Sequence, residues 1–174
     1  MNSFLEPFKN SFLFKIIFVI IFFLFTWVTN ALVNRTSELY KTLKSKDSVL
    51  FESAFNTCET KKLSLIISDD FEFYHDVAGL QNKEEFITAV KNNICATPES
   101  FTRTLVDESL EVYSLKKNGL LYGAIQKGKH TFQNKESGVL ETVGIADFTH
   151  LWILEKNIWK LKRVLSFNHK PFSE

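Results

Sequence analysis

The side chains able to do chemistry are few. Four histidines stand out: His75, His130, His150 and His169. With them come one arginine inside a strongly patterned segment, Arg163, and two cysteines, Cys58 and Cys95. Neutral imidazoles serve as general bases, as ligands for zinc, copper or nickel, or as orienting groups for a bound molecule. A guanidinium offers a fork of donors matched to a carboxylate or phosphate. The histidine spacings form no local metal motif, so no metal and no cofactor is assigned. Two cysteines exclude a disulfide-dense miniprotein and a four-thiolate zinc site. No Ser, Cys or Thr sits in a recognisable nucleophile motif, and no catalytic residue is assigned.

The elements that must position these groups read as helices first, then strands. Leu50, Phe51, Ala54, Phe55 and Cys58 recur at helical spacing, in a helix that begins near Leu39. A short helix covers Lys61 to Ile67. FEFYHD, Phe71 to Asp76, alternates as a strand, with a turn at Gly79. Asn82 and Glu85 form a capping box for a third helix, which Pro98 stops. Thr104 to Leu115, Leu121 to Phe132, Thr142 to Leu154 and Trp159 to Phe167 are then strands with short breaks, hence antiparallel neighbours. Helices followed by a curved antiparallel sheet predict an α+β fold with the helices on one sheet face.

Parity along each strand assigns an inner face. In the last strand Lys160 and Lys162 mark the outside, which puts Trp159, Leu161, Arg163, Leu165 and Phe167 inside. A hairpin about Lys156 and Asn157 pairs Trp159 with Leu154, Leu161 with Trp152, Arg163 with His150 and Leu165 with Phe148. Lys127 and Lys129 put Gln126, Gly128, His130 and Phe132 inside. His75 points inward by the same test, and so does His169. No carboxylate falls inside; Asp76 and Asp147 fall outside. So many polar groups on a concave face predict a pocket lined by His75, Gln126, His130, His150, Arg163 and His169. Phe148, Trp152 and Phe167 form its aromatic walls.

Composition bounds the class. The chain has 174 residues, 45% hydrophobic and 24% charged, which fits one globular domain. Its formal net charge of +1 gives no case for nucleic acid. From Ile16 to Asn34 no residue is charged, and Lys9 and Lys15 precede the run. That layout fits a secretory signal cleaved after Ala31, and equally an uncleaved anchor of the ~20 residues a bilayer needs. Residues 1–34 are therefore read as signal peptide or membrane anchor and 35–174 as the domain, located in the cell envelope.

FEFYHDVAG, NKEEFITAVKNNIC, LYGAIQKGKHTF, GIADFTHLWIL and WKLKRVLSFNH together resemble a bacterial branch, of unassigned function, of the nuclear transport factor two-like superfamily. That superfamily also holds ketosteroid isomerases, SnoaL-like cyclases and a calmodulin-dependent kinase association domain. The resemblance spans residues 39 to 170 and implies a cone. In it a strongly bent antiparallel sheet wraps around the N-terminal helices, with a pocket at the wide end and dimers through the open sheet face. It also implies that the helices ending at Cys58 and Cys95 pack together, so that export would allow a disulfide. The isomerase pattern of inward carboxylates does not carry over.

Four functions follow. The favoured one is an exported or membrane-tethered, dimeric domain binding a small polar or anionic molecule. The others are an enzyme of isomerase, dehydratase or cyclase type with His75 and Asp76 as an oriented base, a metal site of three histidines, and an interaction module. The last would use outward Leu151, Ile153 and Val164.

Overall fold

The computed structural model describes residues 31–97, 100–136 and 139–173. The apolar run as far as residue 30, and Pro98, lie outside the described residues. Among those described, no helix is long and apolar enough to cross a membrane.

Helix α1 spans Glu38–Ser48 and continues as π-helix over Val49–Asn56. The Ser37 hydroxyl caps it by accepting from the Tyr40 amide. Tyr40, Leu43, Asp47, Leu50 and Ala54 form its buried stripe, spaced alternately three and four residues apart. Helix α2 covers Lys61–Ile66. Helix α3, Lys83–Ala89, opens on the Asn82–Glu85 capping box and runs on as π-helix over Val90–Ile94. A disulfide, Cys58–Cys95, joins the segments that follow the two π-helical stretches. With its ends 37 positions apart, it stabilises by about 3–4 kcal/mol through the unfolded state.

Among the described residues, seven strands form one sheet: β1 Ile67–His75, β2 Gly79–Asn82, β3 Phe101–Leu105, β4 Glu111–Lys117, β5 Leu120–Glu136, β6 Val139–Glu155 and β7 Ile158–Pro171. The order is β2-β1-β7-β6-β5-β3, with β4 also on β5. Two features differ from the sequence expectation. The sheet is mixed, because β1 lies parallel to β7. The β5–β6–β7 meander reverses direction at each turn, and the long excursion from β1 to β5 leaves β1 free to enter in either sense. Second, the strand expected over Thr104 to Leu115 is two strands separated by a 3-10 turn, Asp107–Ser109. Both pair with the same edge of the long β5, β4 near the β4–β5 turn and β3 further along. The Val106 amide donates to the Lys129 carbonyl, and the Lys129 amide donates to the Ser109 hydroxyl, which pins the crossing. Ala31 and Val33 add backbone bonds to the free edge of β4.

The β6–β7 hairpin turns at Lys156 and Asn157, both at positive φ, and pairs Trp159 with Leu154 and Leu161 with Trp152. Beyond that the expected register is overturned. The ladder shifts at Lys162, so Arg163 sits opposite Leu151, and Val164, not Arg163, sits opposite His150. Ser166, not Leu165, faces Phe148. The extra residue is a β-bulge that exchanges the two faces. It brings Val164 to 5% exposure, which removes it from the outward contact set, and leaves Leu165 and Phe167 exposed. Arg163 turns outward to Glu72 of β1, at 2.7 Å, and donates to the Asp70 carbonyl.

Because that ion pair is partly solvated, Arg163→Ala should cost no more than about 1 kcal/mol. Urea unfolding checks this; a loss of several kcal/mol would place the arginine in the core instead.

Candidate functional site

A cavity of about 590 Å³ opens between the helices and the inner sheet face. Its walls are mainly apolar: Leu50, Phe51, Phe86, Phe132 and Phe148 among them. Polar groups also line it, Gln81, Asn93 and Lys170 among them, and two clusters stand out. One is a buried knot around Arg103 and His150; the other is a rim cluster of His75, Ser166 and His169.

The knot begins on α1. Asp47 occupies an apolar-stripe position and is 3% exposed. Arg103 projects from β3 by the same alternation that turns Phe101 and Leu105 toward the helices, and is 5% exposed. The Asn56 side chain clamps its backbone, accepting from the Arg103 amide and donating to its carbonyl. The guanidinium lies over the Phe51 ring and donates through Nη2 to His130 Nδ1. His130 stacks on Phe148 at 3.9 Å. Gln126, fully buried, donates to the Leu43 carbonyl, while its Oε1 accepts from Trp152 Nε1 at 2.8 Å and meets His150 Nδ1 at 3.2 Å. That carbonyl oxygen can only accept, which assigns the His150 proton to Nδ1 and leaves Nε2 a bare acceptor.

Around Asp47 Oδ1 the gaps are too long for direct bonds. His130 Nε2 stands at 3.7 Å, His150 Nδ1 at 3.9 Å and Arg103 Nη1 at 4.0 Å. Four buried atoms consequently have no hydrogen-bond partner: Asp47 Oδ1, Arg103 Nη1, His130 Nε2 and His150 Nε2. Burial raises the Asp47 carboxyl pKa against the pull of Arg103, His150 and Lys44. It lowers that of Arg103 in spite of Asp47. His150 is pushed down to about 3, chiefly by burial and further by Arg103, against Asp47.

At the rim, the carboxylate of Asp76 engages His169 twice. Its Oδ1 lies 2.5 Å from Nδ1, and its Oδ2 accepts from the backbone amide at 3.2 Å. His169 Nε2 lies 3.3 Å from Ser166 Oγ. His75 stacks on His169 at 4.3 Å and accepts from the Val77 and Ala78 amides through Nδ1. Burial lowers the His75 pKa, aided by His169 and opposed by Asp76. For Asp76, burial acts upward, yet its bonds to His169 hold it below the usual value. His75, Asp76 and His169 bring three ligand-type atoms within 4.8 Å of one another. A metal on the two Nδ1 atoms would displace the bonds just named, and stacked rings do not converge their lone pairs.

The predicted residues thus divide. His130, His150 and Gln126 meet in the knot, with Phe148 beside them; His150 and Phe148 line the cavity, whereas Gln126, His130 and Trp152, expected there, lie behind the lining. His75 and His169 meet at the rim, where Asp76 bonds His169 at 2.5 Å and stands further from His75, at 3.6 Å. Arg163 belongs to neither group. Arg103 and Asp47 were missed, although both carried a signal. An acidic residue at a helical stripe position, and an arginine two residues from Phe101 and Leu105 on either side, are charges in apolar slots. Asp47 also overturns the expectation that no carboxylate lies inside.

The pH dependence of stability should report the knot. Between about 3 and the ordinary 6.5, the unfolded chain binds a proton at His150 that the folded chain refuses, so stability falls as pH drops through that window. The slope from this group is at most about 1.4 kcal/mol per pH unit. Asp47, raised, opposes it. Urea unfolding from pH 7 to 5 should therefore fall less steeply for His150→Gln than for the parent; parallel curves would contradict the assignment.

No family model and no curated protein matches the sequence. Solved structures do match. An uncharacterised protein with a cystatin-like fold from Caulobacter vibrioides superposes with TM-score 0.60 at 12% identity, covering 79% of this chain and 92% of that one. The association domain of C. elegans CaMKII gives 0.59 at 11%, covering 76% and 98%. An NTF2-like protein from Cytophaga hutchinsonii gives 0.53 at 12%, covering 75% and 98%. At such identities the likeness speaks of architecture: this chain has an NTF2-like, cystatin-like α+β fold.

Proposed function

We propose that the chain is an envelope-located domain, with the cone-like form of its fold neighbours, that binds a small amphipathic molecule bearing an anionic head. One observation carries this reading. Arg103 Nη1 and His150 Nε2 are buried without partners, and both residues line the apolar cavity. Unpaired buried polar atoms are costly, and a ligand supplying their bonds recovers that cost. The two atoms ask for different things. Arg103 donates, so it suits a carboxylate oxygen; His150 Nε2 accepts, so it suits a hydroxyl. A hydroxy acid with an apolar tail offers both and fills the aromatic walls.

The apolar run behind Lys9 and Lys15, as signal or anchor, supports an envelope location, and so does the Cys58–Cys95 bond, which needs an oxidising space. Self-association is supported by the association-domain neighbours. Tyr74, Leu80, Leu165 and Phe167 also expose apolar surface around one shallow depression.

Thermal shift with 3-hydroxyoctanoate, octanoate and octanol tests the ligand class. Stabilisation should rank in that order, reaching about 2.7 kcal/mol at a hundredfold excess over Kd. It should vanish for the acids in the Asp47→Leu/Arg103→Met double variant, which removes the charge without leaving its partner buried alone, and persist in Arg163→Ala. Equal stabilisation by octanol, unchanged in the double variant, would contradict the proposal.

A further inference from the structure

We propose that Ser166, His169 and Asp76 act as nucleophile, base and orienting carboxylate for hydrolysis of an ester or thioester with an apolar acyl chain. The inference goes beyond ligand binding at Arg103 and does not depend on it.

Asp76 grips both the ring and the backbone of His169, which fixes the imidazole in place and puts its proton on Nδ1. Nε2 is left with a free lone pair, and the group facing it is the Ser166 hydroxyl at 3.3 Å. This is the relation of nucleophile, base and third group on which an activated hydroxyl depends. The His75 ring packs against the other face of the imidazole, and its own Nδ1 is held by two backbone amides. The stack restrains the ring without competing for Nε2.

The chain builds this arrangement at a local cost. On a regular strand, residues three apart point to opposite faces. The register of β7 shifts a second time near Asn168, whose φ is +59°. The additional residue returns His169 to the face that Ser166 occupies. Asn168 is held there by a bond from its amide to the Asp147 carboxylate at 2.5 Å. No sequence motif announces the trio, because the bulge and the parallel β1–β7 contact assemble it.

Ser166 and His169 both line the apolar cavity, whose remainder, with Phe73, Phe86 and Ile145, suits an acyl chain. Gln81 and Asn93 also line the cavity and carry side-chain amides, the kind of donor an oxyanion needs. In the first step the Ser166 O–H bond breaks, its proton passes to His169 Nε2, and Oγ bonds to the acyl carbon. The bond to the leaving alcohol or thiol then breaks, and that group takes the proton from Nε2. Water repeats the sequence: it gives a proton to Nε2, bonds to the acyl carbon, and the Oγ–carbon bond breaks as Ser166 regains its proton. The net change is ester plus water to acid plus alcohol.

The purified full chain treated with an alkyl fluorophosphonate, read by intact mass and peptide mapping, tests this. One phosphonyl adduct should form per chain, on Ser166. It should be absent in Ser166→Ala, which removes a single oxygen and keeps the strand. Labelling should slow at least tenfold in Asp76→Asn and His169→Gln. Hydrolysis of p-nitrophenyl hexanoate should be lost in Ser166→Ala. A folded parent chain that takes no adduct, an adduct on another residue, or a Ser166 rate unchanged in both relay variants would each overturn the proposal.

Discussion

A buried ion pair at the junction of α1 and β3 governs the inside of this molecule. Asp47 and Arg103 are nearly inaccessible to water and are held 4.0 Å apart, close enough to attract but too far to bond directly. Removing two charges from water costs several kcal/mol each, and attraction repays this only when further bonds satisfy the remaining atoms. Here many of those bonds are made: Asn56 holds the Arg103 backbone, His130 accepts from its side chain, and Gln126 orients His150. The bonds left unmade surround Asp47 Oδ1 or face the cavity. A polar guest, water or ligand head, is the physical completion of the knot.

The rim depends on another device, the irregular β7. One shift turns Arg163 outward and Val164 inward; the other brings His169 over Ser166. Strand parity holds only while the ladder is regular. A regular β7 would carry a buried arginine opposite His150 and no histidine–serine contact. The two shifts therefore leave the cavity's buried cation to β3 and its rim to Ser166 and His169.

Much of this was legible in the sequence. The capping box at Asn82, the Lys156–Asn157 hairpin and the inward set of Gln126, His130 and His150 follow from spacing, because regular elements repeat a period. Arg163 was misplaced because a bulge inserts one residue without a composition signal. Arg103 stays hidden because the spacing starts its strand at Thr104, three residues after β3 begins, which leaves its inward phase unread. The Asp76–His169 pair joins β1 to β7, whose parallel adjacency no hairpin pattern could show.

Asp47 and Arg103 stabilise each other inside the buried knot. A double-mutant cycle in urea tests this most directly. Asp47→Leu and Arg103→Met alone should each cost about 3–5 kcal/mol, since each strands the other charge, while the double variant should cost less than either. Strictly additive losses would show that the two residues do not interact, and the account of the knot would fail.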